Sequence, residues 1–145
     1  MEDAAKVSEG EAARMAVQLR NAGLRPTRQR LDLWRVLFSN GHRHVSAEDL
    51  HAEAERAGVR ISLATVYNAL HQFTRAGLVS EVVIDGARTY FDTNVGDHHH
   101  FFVEGEGRLI DMQHDVGVTD IPAPPEGTEI VAVEVVVRVR RKSRS

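Results

Sequence analysis

Between Ser62 and Asp92 the hydrophobic repeat changes period once, and that change constrains the fold more than any other feature of the chain. Val66, Ala69, Leu70 and Phe73 fall at i, i+3, i+4 and i+7 behind Ser62, a good helix cap, and Gly77 stops the run. Leu78 to Ile84 and Ala87 to Asp92 are then β-rich runs joined by Asp85 and Gly86, the dipeptide favoured in a type I′ hairpin. The segment predicts a helix followed by a two-stranded ribbon.

Three shorter helical patterns precede it. Ser8 and Glu11 form a capping box before Ala12, Met15, Ala16 and Leu19, with Gly23 closing. Pro26 and Thr27 open a second helix whose face is Leu31, Trp34, Leu37 and Phe38, stopped by Asn40 and Gly41. Ser46 caps a third, with Leu50, Ala54 and Ala57 inside and Gly58 after it. Helices followed by a hairpin wing predict a winged helix-turn-helix domain over residues 1–92, in a chain of α+β class.

The fourth helix carries the functional signal. Opposite its apolar stripe lie Ala64, Thr65, Asn68, His71, Gln72 and Arg75, with Tyr67 at the flank and no acid anywhere on the helix. Small, amide and basic side chains suit a major groove, where short residues allow close approach and amides pair with base edges. The formal net charge of −3 argues weakly against nucleic acid, yet from Arg20 to Arg43 six arginines face the single acid Asp32. Arg25, Thr27, Arg28 and Arg30, at the opening of the second helix, are candidate DNA contacts. Ser62, Ala64, Thr65, Tyr67, Asn68 and Gln72 join them, and Arg88 on the wing is placed to touch phosphate.

Thr93 to Asp97 reads as a hinge, and residues 98–145 as a small α/β dimerisation and sensing domain. Phe101 to Glu104 and Arg108 to Met112 are strands joined across Gly105, Glu106 and Gly107. Pro122, Pro124 and Pro125 forbid regular structure around them, and Glu129 to Val139 predicts one long strand with Val131, Val133, Val135, Val137 and Val139 on one face. So small a sheet needs a partner for its apolar face, which predicts a homodimer. No run approaches the roughly 18 apolar residues of a membrane span, and the acidic start lacks a basic leader segment; a cytoplasmic location without membrane contact is expected.

The chain has no cysteine, so disulfides, thiolate metal sites and thiol nucleophiles are excluded, and any metal must use nitrogen and oxygen ligands. His98, His99 and His100 are consecutive at the domain junction. In an extended segment His98 and His100 face one way and His99 the other. His44 and Asp92 are candidates to converge with them, and Asp111 is a further carboxylate for such a nitrogen–oxygen set, which suits iron, zinc or haem. No phosphate loop, Ser-His-Asp constellation or isolated carboxylate pair is present, so nothing points to an enzyme.

Gly23-Leu-Arg-Pro-Thr-Arg-Gln-Arg30, His44-Val-Ser-Ala-Glu-Asp-Leu50 and Ser62-Leu-Ala-Thr-Val-Tyr-Asn-Ala-Leu70, with Phe73 and Ala76-Gly-Leu78, resemble the ferric uptake regulator family over nearly the whole chain. The resemblance implies that the helix from Ser62 to Ala76 enters the major groove, that Tyr67 contacts bases, and that Arg25 approaches the minor groove or backbone. It places His44, Asp92 and His99 on regulatory metal positions, with Phe101 in place of a ligand histidine. The family's Cys-x-x-Cys zinc pair is missing, and the Pro-rich stretch from Ile121 to Gly127 stands where a C-terminal helix is usual. These departures look most like the iron response regulator branch of bacteria related to rhizobia. That likeness implies a regulator that restrains haem synthesis when iron is scarce and is released by haem at His98, His99 or His100. The Cys-Pro haem motif of some members is absent here. The alternative reading is a repressor activated by Fe2+, Mn2+ or Zn2+.

Overall fold

A computed structural model describes residues 9–39, 41–96 and 99–143. The chain divides into two units, Met1–Val95 and Gly96–Ser145. The division falls beyond the hinge start expected at Thr93, because Thr93 is buried and held by the first unit. Arg43 N–H donates to Thr93 Oγ1 at 2.8 Å, and Thr93 N–H donates to the Arg43 carbonyl at 3.1 Å.

The first unit runs α1 (Glu9–Asn21), α2 (Arg28–Phe38), β1 (His44–Val45), α3 (Ala47–Arg56), α4 (Leu63–Arg75), β2 (Ser80–Asp85) and β3 (Arg88–Asp92). The helices α2, α3 and α4 begin at hydroxyl caps. Thr27 Oγ1 accepts from Arg30 N–H, Ser62 Oγ from Thr65 N–H, and Ser46 and Asp49 bond each other's backbone reciprocally. The capping box expected at Ser8 lies outside the described residues, as does Asn40. At the end of α4, Gly77 takes a φ of 78°, which lets Leu78 N–H reach back to the Phe73 carbonyl at 2.9 Å. Leu78 thereby belongs to the helix stop, and β2 starts two residues later than its β-rich composition suggests.

Leu19 of α1, Leu33 and Leu37 of α2, Leu50 of α3, Val66, Leu70 and Phe73 of α4, and Phe91 of β3 are fully buried together. Trp34 packs edge-on to Phe73 at 5.3 Å between ring centres. Each large side chain so buried contributes about 1.5–3 kcal/mol, against about 1 kcal/mol for a cap. Packing of the apolar stripes therefore holds the helices, and the caps set where they begin.

The sheet of this unit has strand order β1-β3-β2, antiparallel throughout. Asp92 is the shared rung, opposite His44 on one side and Ser80 on the other. The hairpin turn differs from the expectation. The register shifts between Val83 and Asp85, the connecting residues are Gly86 and Ala87, and neither has the positive φ that a type I′ turn demands. Asp85 Oδ1 instead accepts the Ala87 N–H at 2.9 Å and closes the turn itself.

The second unit contains β4 (His100–Val103), β5 (Arg108–Asp111) and β6 (Val136–Val139), in order β5-β4-β6, with β4 antiparallel to β5 and parallel to β6. Among its described residues there is no helix, which corrects the α/β expectation for this part. Proline supplies no donor in Pro122, Pro124 and Pro125. The long strand expected from Glu129 shrinks to β6, because β4 offers four residues for pairing and Val136–Val139 use all of them. No helix among the described residues is long and apolar enough to cross a membrane.

Candidate nucleic-acid interface and metal donors

The buried stripe of α4 fixes its outward face. Ser62, Ala64, Asn68, His71 and Arg75 are exposed, Thr65, Tyr67 and Gln72 are half-buried, and no acid occurs on the helix. Its neighbours hold two of the candidate contacts. The Tyr67 hydroxyl donates to Glu48 Oε1 of α3 at 2.6 Å, and this bond to a carboxylate raises the phenol above its ordinary pKa. Gln72 Oε1 accepts from Arg30 Nε at 3.2 Å and Nη2 at 2.9 Å, while Arg30 Nη1 donates to the Arg25 carbonyl at 2.8 Å. Arg30 and Gln72, both expected to meet DNA, thus first meet each other.

Arg25, Thr27 and Arg28 are exposed at the opening of α2. On the hairpin, Arg88 Nε and Nη2 both donate to Asp85 Oδ2, at 3.0 and 2.6 Å, and the guanidinium lowers the Asp85 carboxyl. Arg88 is held at the hairpin tip with an acid beside it. Sequence reasoning missed Glu48 and the Arg30–Gln72 clamp, since residues 19 and 42 positions apart leave no periodic signal.

Among the described residues, the nitrogen and oxygen donors suited to a metal are His44, Asp92, His100 and Asp111. In the first unit, His44 Nε2 lies 3.1 Å from Asp92 Oδ2, a consequence of their cross-strand pairing. Asp92 is 1% exposed and its Oδ1 accepts the Asn94 N–H at 2.8 Å. In the second unit, His100 Nε2 lies 3.2 Å from Asp111 Oδ1, again as register partners, with His100 buried. Buried imidazole beside carboxylate is a donor set that fits a divalent cation, and the absence of cysteine restricts the choice to it.

His99 faces the other way in β4's extension and its Nδ1 accepts the Val135 N–H at 3.1 Å. That bond puts the ring proton on Nε2, so neither nitrogen offers a lone pair in this arrangement. His98 lies outside the described residues.

A head of packed helices with an acid-free helix face, carried on a chain with histidine–carboxylate donors, is that of a metal-responsive transcription regulator and not of an enzyme. The model of the ferric uptake regulator family matches residues 21–137, and the chain belongs to that family. It is 36% identical over 128 residues to the ferric uptake regulation protein of Pseudomonas aeruginosa, covering 86% of this chain and 96% of the relative. It is 34% identical over 106 residues to the peroxide-responsive repressor PerR of Staphylococcus aureus, covering 73% and 71%. Among solved structures, the ferric uptake regulator from Pseudomonas aeruginosa with manganese superposes with a TM-score of 0.67 at 32% identity, covering 89% and 98%. The Vibrio cholerae ferric uptake regulator superposes with a TM-score of 0.69 at 26% identity, covering 86% and 98%.

Proposed function

We propose that the chain is a winged-helix repressor that binds operator DNA as a homodimer, through α4 and the β2–β3 hairpin, and that divalent metal at its histidine–carboxylate pairs promotes that binding. The observation that carries this reading is Asp92, a buried carboxylate beside His44 on the same small sheet that forms the hairpin next to α4. Imidazole nitrogen and carboxylate oxygen held side by side are donor types that a divalent ion takes. A divalent ion bound there would add positive charge beside a carboxylate that is largely removed from water.

The chain's own residues do the rest. Val66, Leu70 and Phe73 lock α4 so that its polar face is presented as a rigid unit. Arg25 and Arg28 add positive charge beside it, which attracts phosphate without reading sequence. In the second unit Phe101, Ile110 and Val137 form one row across the three strands, 37, 36 and 39% exposed, the kind of apolar face a second copy would cover.

Haem, which the histidine run alone favours, has less support. His99 spends its Nδ1 on the backbone, His100 faces Asp111, and the relative at 32% identity is a structure with manganese. Placement in the iron response regulator branch rests on the histidine run and the lack of cysteine. A gel shift on duplex DNA enriched by the protein itself separates the two. The metal reading expects retention with Mn2+ and release by chelator; binding that survives chelator and is abolished by haem refutes it.

A further inference from the structure

We infer that Arg30 is a positioning residue that turns Gln72 into a donor-only reader of base edges, an inference that rests on α4 entering the major groove. Two guanidinium hydrogens point at Gln72 Oε1, at 3.2 and 2.9 Å. Because guanidinium has donors only, the amide atom facing it must be the oxygen, which settles which way the amide is turned. Both oxygen lone pairs are then occupied. The two hydrogens on Gln72 Nε2 have no partner among the described residues, and that nitrogen is not among the buried unpaired atoms, so it meets solvent.

The clamp is built, not incidental. Arg30 is fixed from a second side by the Arg25 carbonyl at 2.8 Å, and it sits in the first turn of α2, capped by Thr27. A cleft of about 230 Å³ is lined by this turn and by Thr65, Asn68 and Gln72 of α4. Gln72 is one of a row at i, i+3 and i+7 that lines this cleft, with its carbonyl turned to Arg30 and its NH2 left to solvent.

Base recognition follows from that orientation. A free glutamine commonly reads adenine with two bonds, accepting from N6–H and donating to N7. Gln72 cannot accept, so the adenine pair of bonds is lost. Its NH2 matches edges that present acceptors, and best guanine, whose O6 and N7 can take both hydrogens where adenine N7 or thymine O4 takes one. Gln72 is thereby selective for guanine over adenine at the position it faces, because adenine sets its own N6–H2 donor where guanine sets O6.

The test uses the full chain and duplexes it enriches from a randomised pool, followed by a panel carrying every single base-pair change of the enriched sequence. The wild type should prefer guanine over adenine at one position, and Gln72→Ala should flatten the preference there alone. Arg30→Met frees the amide oxygen and should shift that position toward adenine by about tenfold. Gln72→Glu keeps the partner of Arg30 as an ion pair, and so keeps the fold, but presents acceptors only; it should favour cytosine there. If Arg30→Met and Gln72→Glu change affinity equally across the panel, the inference is overturned while DNA binding stands. If the wild type enriches no duplex and its binding ignores salt, the groove reading of α4 itself falls.

Discussion

Replacing Asp92 by asparagine separates the fold of the small sheet from its metal chemistry. The Asn94 N–H at 2.8 Å requires an acceptor, so the asparagine oxygen takes the place of Oδ1 and the NH2 takes the place of Oδ2. That NH2 then faces His44 Nε2 at the former carboxylate position, where it has no lone pair to offer a cation. Shape and backbone bonding survive; the ligand does not. If Mn2+ is supplied at about 100 times its Kd, binding stabilises the wild type by about 2.7 kcal/mol. A loss of about 100-fold in affinity, the most that an outer-shell partner costs and so the least expected for a direct donor, leaves about 0.4 kcal/mol or less. At about 3 °C per kcal/mol for a chain of this size, the Mn2+-induced rise in melting temperature should fall from about 8 °C to about 1 °C. Thermal unfolding by circular dichroism, with Mn2+ and with chelator, measures both. Equal Mn2+ shifts in the two proteins, with equal chelated melting points, would refute the assignment of Asp92 as a donor.

Phe73→Ala should destabilise the first unit by about 3–5 kcal/mol, since it empties a fully buried ring site against Trp34; a loss below 1 kcal/mol in urea unfolding would show that the α4 stripe is not the main anchor. Tyr67 carries a pH signature: its phenol is raised above 10.0 mainly by the bond to Glu48, so the stability this bond contributes is whole below pH 10 and is lost as pH climbs through the folded value. Glu48→Gln in a Tyr90→Phe background should bring the phenolate absorbance titration down toward 10.0, and an unmoved titration would mean the bond is absent in solution.

Most of the helical head was legible in the sequence because its determinants are local. Ser46 and Ser62 sit one residue before their helices and accept the bonds their type predicts, and Gly77 marks the end of α4. What escaped was whatever pairing decides. The two-residue strand β1 has no period to detect, and the turn moved from Asp85-Gly86 to Gly86-Ala87 because a register irregularity near Ile84 spends one residue. The valine alternation from Val131 to Val139 is a sound strand pattern, yet a strand exists only where a neighbour runs beside it, and β4 is short. The donors show the same division. His100 and Asp111 stood out by residue type, but that His100 and not His99 would face a carboxylate depended on which side of β4 was turned inward.

The irregular step in the hairpin lies on β2 toward its tip, and β3 runs evenly from Arg88 to Asp92. The ribbon works as a ruler with one loose end. Added or lost residues near Gly86 alter only how far the tip reaches, whereas a single residue gained or lost within β3 would swing the carboxylate of Asp92 through to the opposite side of the sheet, away from His44. Hairpin length can therefore change without moving this carboxylate, and the count of residues from the tip of β3 to its base cannot.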